Sequence, residues 1–526
     1  MRRFPRFLAL QLLLLVILLA CLEMGSSTRS RSRKKPKVNL CHIKDQTAPM
    51  NCNCHYHRNA TDIECWVVKP LAREDPFWGH FASQTHLEKL LLKQHENGIL
   101  DYVPTHLLHQ LKNVRAFELL YVQMPDLARH SFTNLTGLSE LRVTDSKIFK
   151  LHEYTFTNMR NLAILDLGRN NITEIERNTF VELPSLRALY LDRNLINLVH
   201  DQAFKHLPSL QKLVLNHNKI VNLARDCFYG LRGLLHLDLR NNDITMIGER
   251  NFAEMPELQV LELDDNYIQF LVPHALDGIR KLRRLYLSGN VLSNLDPNTL
   301  VGVPNVHFLD LRRNNLKTMS IDNIKPIITN LYNHNSSLYL SDNKLSCDCK
   351  LTWTWSLRNE TKNMQLKALL EKLTCLMESN NTTEKLHGED LERNQPLEMM
   401  QSPEENAADN SKYSDAGDED GNRDEEDREN YDEVELEISS PLPNLNVKTE
   451  CGGKMCYTKR LFDLKPEDLP CPEFSREDLM ASEQPSSHHE KARVGLSGSI
   501  WFSSSAQAVR SVLAASLLPL LLVLFT

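Results

Sequence analysis

The sequence has little glycine and only a small net charge, and both absences exclude whole classes of protein. Its 526 residues include 18 glycines, too few for a collagen-like or glycine-rich low-complexity chain. A net charge of −7 does not give the chain as a whole the basic surface of a nucleic-acid-binding protein. Hydrophobic residues make up 41% of the chain, which is enough to bury a large core.

Signatures of catalysis are missing as well. The sequence contains no G-x-S-x-G, no phosphate-cradling glycine loop, no H-E-x-x-H and no paired C-x-x-C, and each of these patterns positions groups that a reaction needs. Histidines and carboxylates are scattered instead of grouped at fixed spacing. We therefore predict that the chain is not an enzyme and that it has no catalytic residue, metal ligand or cofactor.

The first residues have the pattern of a secretory signal peptide. Arg2, Arg3 and Arg6 precede an apolar run, Phe7 to Leu22, and small residues follow it. This pattern predicts a signal peptide over residues 1–25, with an uncleaved signal anchor as the alternative. Cysteines would then face an oxidising compartment, and N-x-S/T sequons could carry glycans. The sequons are at Asn59, Asn134, Asn171, Asn335, Asn359, Asn380 and Asn381.

The last residues resemble a signal for a GPI anchor. An apolar tail of 14 residues, Val512 to Phe525, is short for a membrane span, which needs about 20 residues. Small residues precede it without a basic stop-transfer cluster behind it, so residues 506–526 are predicted to be an anchor signal. The expected attachment site is Ser503, Ser504 or Ser505. A short tail-anchored span is the alternative.

A repeat with a period of 24 residues fills the middle of the chain. Its unit is L-x-x-L-x-L-x-x-N-x-L/I, as in Leu162, Leu165, Leu167, Asn170 and Ile172. About eleven units are present, beginning at Leu87, Val114 and Leu138 and then every 24 residues to Val306, with a last copy near Leu338. The alternation L-x-L predicts a short strand with one buried face, and such strands stack in parallel into a solenoid.

Two further columns keep the same period. Phenylalanines at 132, 156, 180, 204, 228 and 252, followed by Leu276 and Leu300, are predicted to fill the core behind the strands. The asparagines at 170, 194, 218, 242, 266, 290 and 314 are predicted to turn inward. Their amides can satisfy buried backbone groups of adjacent turns. We therefore interpret these asparagines as structural residues.

These residues resemble the extracellular leucine-rich repeat family, and the resemblance covers about residues 87–345. It implies an α/β solenoid, a horseshoe of about eleven repeats with disulfide caps. Within that family, the chain resembles the insect membrane-anchored group that includes connectin and chaoptin. That group implies a role in adhesion or developmental signalling.

Cysteines precede the first repeat, where a solenoid needs a cap over its open end. These are Cys41, Cys52, Cys54 and Cys65. Four cysteines allow three pairings, and the nearby His55 and His57 leave zinc binding as an alternative. The family resemblance implies an N-terminal cap over residues 41–86, with Cys41 paired to Cys54 and Cys52 to Cys65.

Cysteines also follow the last repeat. Cys347 and Cys349 begin the stretch C-x-C-x-L-x-W, which resembles the C-terminal cap of the family. The resemblance implies the pairs Cys347–Cys375 and Cys349–Cys471, with the cap divided between residues 346–375 and residues 451–475. Cys451 and Cys456 would pair with each other or in a reshuffled scheme. Cys227 is left over and is interpreted as an inert core thiol, with a reactive cysteine as the alternative.

The remaining segments are predicted to be linkers. A basic linker spans residues 26–40, and its charged part, 29–37, is a solvated tail or a contact for sulfated glycans. An acidic insertion over 376–450 is predicted to be disordered; from Glu404 to Glu437 it holds 16 acidic and 3 basic residues, a net charge of −13. Residues 476–505 are predicted to be a serine-rich stalk.

Side chains between the strand leucines are predicted to form an exposed concave face. Aromatic and arginine side chains among carboxylates are typical of a protein hot spot, although an ordinary solvated face is the alternative. The predicted ligand-binding residues are Tyr190, Asp238, Glu262, Asp265, Arg284, Tyr286, Phe308 and Asp310. The expected partner is an extracellular protein ligand or a cell-surface receptor, and not a nucleic acid.

Two functions follow from this interpretation. The first is a GPI-anchored adhesion or recognition protein on the extracellular face of the plasma membrane. The second is a secreted or membrane-tethered regulator of a growth-factor or hormone pathway, in which the acidic insertion holds a basic ligand. A structural matrix protein would require that the tail is not an anchor signal.

Overall fold

The computed structural model describes residues 39–43, 47–54, 60–378, 448–451 and 454–471. All of them lie in one compact unit that ends at Cys471. The predicted signal peptide, residues 26–38 of the basic linker, the stalk and the anchor signal lie outside the described residues, and so do Asn59, Asn380, Asn381 and the serines at 503–505. The last linker residue, Leu40, begins the 3-10 helix Leu40–His42.

A 13-stranded sheet runs through the described unit. Met50–Cys54 lies at its edge and pairs antiparallel with Asp62–Val67, which is parallel to the first repeat strand. The eleven repeat strands are parallel and follow in chain order: Lys89–Gln94, Ala116–Leu120, Glu140–Thr144, Ile164–Asp166, Ala188–Tyr190, Lys212–Val214, His236–Asp238, Val260–Glu262, Arg284–Tyr286, Phe308–Asp310 and Ser337–Tyr339. The predicted solenoid fold and its repeat number are confirmed.

The core lies between this sheet and the return path of each repeat. Middle leucines of the strands, such as Leu261 and Leu285, are fully buried, because successive strand residues point to opposite faces. Behind them the predicted phenylalanine column is buried and stacked, with ring centroids 5.3 Å apart for Phe132 and Phe156 and 6.1 Å apart for Phe228 and Phe252. Stacked aromatic rings give the column packing energy beyond its buried area.

The asparagine column satisfies the backbone where each repeat turns. In Asn242, the Oδ1 atom accepts from the Ile220 backbone N–H at 3.1 Å. Its Nδ2 donates to the carbonyls of Leu215 and Leu239 at 3.0 and 3.1 Å. Equivalent contacts recur at 24-residue spacing, for example from Asn218 and Asn266. One buried amide thus pairs groups of two consecutive repeats, as the sequence predicts.

Short strands and turns complete each repeat. On the side that follows the asparagines, the parallel pairs are Asp126–Leu127 with Lys150–Leu151, Glu174–Ile175 with Leu198–Val199, and Met246–Ile247 with Phe270–Leu271. On the back, Phe132–Thr133, Phe156–Thr157 and Phe180–Val181 form a three-stranded sheet. The α-helices among the described residues are Thr105–Gln110, Ile321–Ile324, Ile328–Leu331, Trp353–Glu360 and Met364–Glu371. The 3-10 helices are Leu40–His42, Pro76–Ser83, Cys349–Leu351, Leu461–Asp463 and Pro466–Asp468.

The N-terminal cap is joined by two disulfides. They link Cys41 to Cys54 and Cys52 to Cys65, the pairs that the family resemblance implies. Bonded to each other, these cysteines are not zinc ligands. Asp62–Val67 continues the repeat sheet, so this strand of the cap covers the first repeat. Met50–Cys54 pairs with its other side and forms the edge of the sheet.

The C-terminal cap brings together residues from both sides of the acidic insertion. Disulfides link Cys347 to Cys375 and Cys349 to Cys471. The indole of Trp353 donates to the Met319 carbonyl at 3.0 Å, which ties the cap to the last full repeat. Residues from 461 onward return to the same cap, where Trp355 packs on Phe462 with ring centroids 4.7 Å apart.

The predicted boundaries of the acidic insertion need correction at both ends. Residues 376–378 were expected to be disordered, but they continue the strand Thr374–Glu378, which pairs with Lys454–Arg460. Residues 448–450 belong to the strand Lys448–Cys451, on the other edge of Lys454–Arg460. Cys456 is disulfide-bonded. The insertion therefore leaves and re-enters the cap through the two edge strands of one three-stranded sheet, with Lys454–Arg460 between them. Composition alone does not reveal this arrangement.

Cys227 is a buried free thiol, and burial raises its pKa to about 12. A thiol with that pKa is almost entirely protonated at neutral pH, and the protonated form is a poor nucleophile. This agrees with the interpretation of Cys227 as an inert core residue.

Candidate recognition site on the concave face

The outer residues of each repeat strand point away from the core and form columns. Because neighbouring strands pair in parallel register, Arg284 is aligned with Phe308, and Tyr286 with Asp310. The next strand continues both columns with Ser337 and Tyr339. Side chains on adjacent strands are only about 4.8 Å apart, so each column is closely packed.

Three aromatic rings lie in contact across the last three repeat strands. The ring centroids of Tyr286 and Phe308 are 4.7 Å apart, and those of Phe308 and Tyr339 are 5.4 Å apart, with tilted planes. Tyr286 and Phe308 are half-buried, and burial raises the pKa of Tyr286 to about 12. We call these three residues the aromatic ladder. Its packing fixes the rings before any partner arrives.

Two Asp-Leu-Arg segments hold arginines on the same face. Arg312 donates from Nε and Nη2 to the carboxylate of Asp310, and its guanidinium lies 4.7 Å from the Tyr339 ring centroid. Arg240 donates to Asp238 from Nε at 3.0 Å and from Nη2 at 2.8 Å. Bidentate pairing fixes both guanidinium planes. Hydrogen bonds to Asp238 raise the already high pKa of Arg240.

Glu262 connects Arg240 with His236 on the neighbouring strand. Its Oε1 is 2.8 Å from Nε2 of His236, and its other oxygen contacts Arg240. Arg240 therefore contacts two carboxylates on adjacent strands at once. Asn216 adds a hydrogen bond of 2.7 Å to Asp238. The arrangement is a polar network that orients arginines, and it contains no nucleophile–base pair.

The expectation that the concave carboxylates are open to a ligand is wrong for three of them. Asp238 and Asp310 are each 2% exposed and Glu262 is 6% exposed. Neighbouring strands are so close that the longer arginine and aromatic side chains cover the shorter acids. These carboxylates are therefore positioned to orient arginines. The half-buried guanidinium groups and the rings of Tyr286 and Phe308 form the accessible surface, and Tyr339 is buried beneath them.

Asp264 is a half-buried carboxylate next to this network. Burial raises its pKa to about 7, and the nearby Asp310 and Glu262 act in the same direction. The backbone N–H of Ser288 donates to its Oδ1 at 2.7 Å. Asp264 is thus a titratable group of the concave face whose charge changes near neutral pH.

The substitution Asp264→Asn is expected to stabilise the protein more and more as the pH rises. The folded-state pKa lies above the unfolded value, so folding is favoured by protonation, and this stability is lost between about pH 4 and pH 7. An asparagine side chain would keep an oxygen for the Ser288 N–H without the charge. The gain in unfolding free energy should be larger at pH 8 than at pH 4 by roughly 1–3 kcal/mol, measured by thermal unfolding at both pH values. A gain that is equal at both would contradict the assigned pKa.

Asp265 lies at the edge of the face and is exposed. Its Oδ1 accepts from Nη2 of Arg313 at 3.2 Å, two repeats away. The pair meets over Gly289, where a Cβ would lie 2.1 Å from the Asp265 oxygen and where φ is +65°. Glycine leaves the space in which this pair forms. The backbone conformation alone does not demand glycine, because Asp265 and Arg313 adopt a positive φ at the same position of their repeats.

Not all predicted site residues come together. Arg284 lies beside Tyr286 and the ladder, but Tyr190 is four strands away along the sheet, roughly 19 Å at the usual strand spacing. There the Lys212 ammonium lies 5.5 Å from the Tyr190 ring centroid. Tyr190 shares the concave face without sharing the C-terminal cluster.

Sequence reasoning missed Arg240, Arg312 and Tyr339. Each arginine stands two residues after an aspartate, as in Asp238-Leu239-Arg240, and residues i and i+2 of a strand share a face. Tyr339 lies between Leu338 and Leu340 of the last repeat, where an insertion of five residues interrupts the 24-residue period. Both signals were present in the sequence.

The described sequon asparagines are all exposed, at Asn134, Asn171, Asn335 and Asn359. Their side chains are therefore accessible to a glycosylating enzyme. In the part of the chain that the structure describes, no helix has the length and apolarity needed to cross a bilayer.

Comparison with known proteins supports the repeat assignment. Residues 136–196, 188–244, 232–292 and 256–316 match the model of the leucine rich repeat family. The chain is 43% identical over 65 residues to connectin of Drosophila melanogaster, a match that covers 12% of this chain and 10% of connectin. The match thus spans about a tenth of that relative's length. The further similarity of the N-terminal cap segment CNCHYHRNATDIECW to the insect protein halfway (singed wings 2) stays a prediction.

Solved structures with partial similarity include two leucine-rich repeat proteins. The Toll–Spatzle complex of Drosophila gives a TM-score of 0.48 at 20% identity, covering 58% of this chain and 44% of that one. A leucine-rich repeat protein of Leptospira interrogans gives 0.43 at 21% identity, covering 56% of this chain and 74% of that one.

Proposed function

We propose that this chain, whose residues 136–316 match leucine rich repeats, is an extracellular recognition protein. In this proposal it binds a protein partner through its concave face, in adhesion or recognition between cells during development. The aromatic ladder carries the proposal. Its rings are ordered by mutual contact, and the arginines beside it are fixed by buried carboxylates. A surface whose side chains are already ordered loses less conformational entropy on binding.

The chemistry of the cluster favours a protein over other ligands. Tyrosine and arginine are enriched among the residues that dominate protein–protein binding energy. Arg240 and Arg312 each lie beside a carboxylate, so the face does not present the uniform positive charge that a nucleic acid or a sulfated glycan would require. The similarity to connectin is consistent with this role, although the match is confined to 65 residues.

The binding test uses the whole chain displayed on cultured cells and a collection of purified extracellular proteins presented as multimers. For a protein that binds, Phe308→Ala should weaken the affinity roughly thirtyfold or more, the effect of removing a hot spot. Tyr229→Ala is the matched control, because Tyr229 is an exposed aromatic residue outside the repeat strands. Surface display of each variant checks its folding. A partner that binds the Phe308 variant unchanged would contradict the location of the site.

We also propose that a GPI anchor holds the protein at the cell surface, on the strength of its C-terminal sequence. Treating intact expressing cells with a phosphatidylinositol-specific phospholipase is expected to release most of the surface protein into the medium. The medium before treatment is the control. Protein that stays on the cells would indicate a retained membrane span, and protein already in the medium would indicate a secreted form.

The regulator function is the second candidate, and the acidic sequence from Glu404 to Glu437 favours it. Its net charge of −13 could concentrate a basic ligand near the repeats. Deletion of residues 404–437 separates the two functions. A ligand lost on this deletion but retained by the Phe308 variant would support the regulator, and the reverse result would support recognition by the concave face.

A further inference from the structure

Exposed apolar side chains are concentrated on one lateral flank of the solenoid. They lie just after the buried asparagines of four successive repeats, and 40% to 57% of each side chain is accessible. We call this set the flank patch: Leu195, Leu198, Val221, Met246, Tyr267 and Phe270. Apolar side chains clustered in this way are typical of interaction surfaces, whereas isolated ones are common on any protein.

The residues of the flank patch are regularly spaced because backbone hydrogen bonds join successive repeats at this flank. One column consists of Leu195, Lys219, Asp243 and Tyr267. The N–H of each of these residues donates to the carbonyl of a core isoleucine of the preceding repeat, at 2.9 to 3.0 Å. A second column, three residues further along each repeat, consists of Leu198, Asn222, Met246 and Phe270, and its last two members pair in parallel register.

The two columns of one chain are complementary to the same two columns of a second copy that runs in the opposite direction. A two-fold axis that crosses the flank midway between Lys219 and Asp243 brings each of these charges opposite the other in a second copy. The same operation places Leu195 against Tyr267. In the second column it places Leu198 against Phe270 and Asn222 against Met246. Apolar groups meet apolar groups at both ends, and opposite charges meet at the centre.

The two central charges are not paired with any other described residue. Among the described residues, neither Lys219 nor Asp243 takes part in a side-chain hydrogen bond or an ion pair, although both side chains lie on the surface. The sequon at Asn171 stands one repeat before Leu195 in the first column, so a glycan there would lie at the rim of the patch.

We propose that the flank patch is the interface at which two copies of this chain associate, antiparallel, about a two-fold axis between Lys219 and Asp243. The observation that selects a second copy is the reversed order of both columns. An isologous contact needs a patch that is complementary to itself. Here the opposite charges and the apolar ends of both columns match, and Asn222 against Met246 is the one mixed pair. The proposal does not depend on the concave site, which lies on a different face.

Charge exchange tests the interface and its register together. The full chain, purified in mild detergent, is followed by sedimentation over a range of concentrations. Lys219→Asp alone and Asp243→Lys alone each place like charges together twice, so each should weaken dimerisation roughly tenfold or more. An equimolar mixture of the two variants restores both opposite-charge pairs and should form a heterodimer with nearly wild-type affinity.

Val301→Asp is the control, because Val301 is 51% exposed and follows Leu300 of the core column instead of an asparagine. It should leave the dimer unchanged. Recovery in the mixture excludes misfolding as the cause of the single-variant effects. A wild-type chain that stays monomeric throughout, a mixture that fails to recover, or a Val301 variant that is equally weakened would overturn the proposal.

Discussion

Arg240→Leu is expected to destabilise the repeat domain by about 2–3 kcal/mol at neutral pH, because it removes hydrogen bonds from two buried carboxylates although the guanidinium itself is half-exposed. Arg240 contacts the carboxylates of Asp238 and Glu262, which are 2% and 6% exposed. Leucine would leave both negative charges in a poorly hydrated site. The hydrogen bonds with Asn216 and His236 would remain, but those from the guanidinium would be lost.

The comparison uses chemical denaturation of the whole chain with its disulfides intact. Arg225→Leu is the matched control, because Arg225 is exposed and makes no side-chain hydrogen bond or ion pair among the described residues; it should change stability by less than about 0.5 kcal/mol. Adding Asp238→Asn and Glu262→Gln to Arg240→Leu removes the uncompensated charges and should recover much of the loss. No recovery would mean that Arg240 acts by packing and not by charge.

Asn242→Ala is expected to cost about 3 kcal/mol or more, a large effect for the loss of one small side chain. The substitution removes the acceptor for the Ile220 N–H and the donor for the carbonyls of Leu215 and Leu239. Each buried backbone group left without a partner costs about 1–3 kcal/mol. The loss falls on two consecutive repeats at once, because the amide of Asn242 joins them.

Asn294→Ala provides the control for this prediction. Asn294 is exposed and its side chain makes no hydrogen bond among the described residues, so its replacement should be nearly neutral. Thermal unfolding of both variants should separate them by roughly 5 °C or more, taking a few degrees for each kcal/mol. If both variants melt with the wild type, the buried asparagines are not the structural residues that the repeat implies.

The solenoid could be predicted from the sequence because its determinants are local and periodic. Leu162, Leu165 and Leu167 specify a buried strand face. Asn170 specifies a turn whose buried backbone groups are hydrogen-bonded by its side-chain amide. Repetition at 24 residues then leaves one way to stack the units. The resemblance to capped extracellular repeats supplied the pairs of Cys349 and its neighbours, which spacing alone left open.

The details of the concave face could not be predicted in the same way. Burial of Asp238 and Asp310 depends on side chains of neighbouring strands, and those neighbours are 24 residues away in the chain. The contact between Asp265 and Arg313 spans two repeats and requires Gly289 between them. Columns of residue types show which side chains share a face, but not which of them cover the others.

Site-specific photocrosslinking tests the central claim most directly, once a binding partner is in hand. A photoreactive amino acid replaces Ser337, which is aligned with Phe308 on the next strand, and in a second variant it replaces the exposed Val301 outside the concave face. We predict that illumination links the partner to position 337 and not to position 301. Crosslinking at position 301 with none at position 337 would contradict recognition by the concave face.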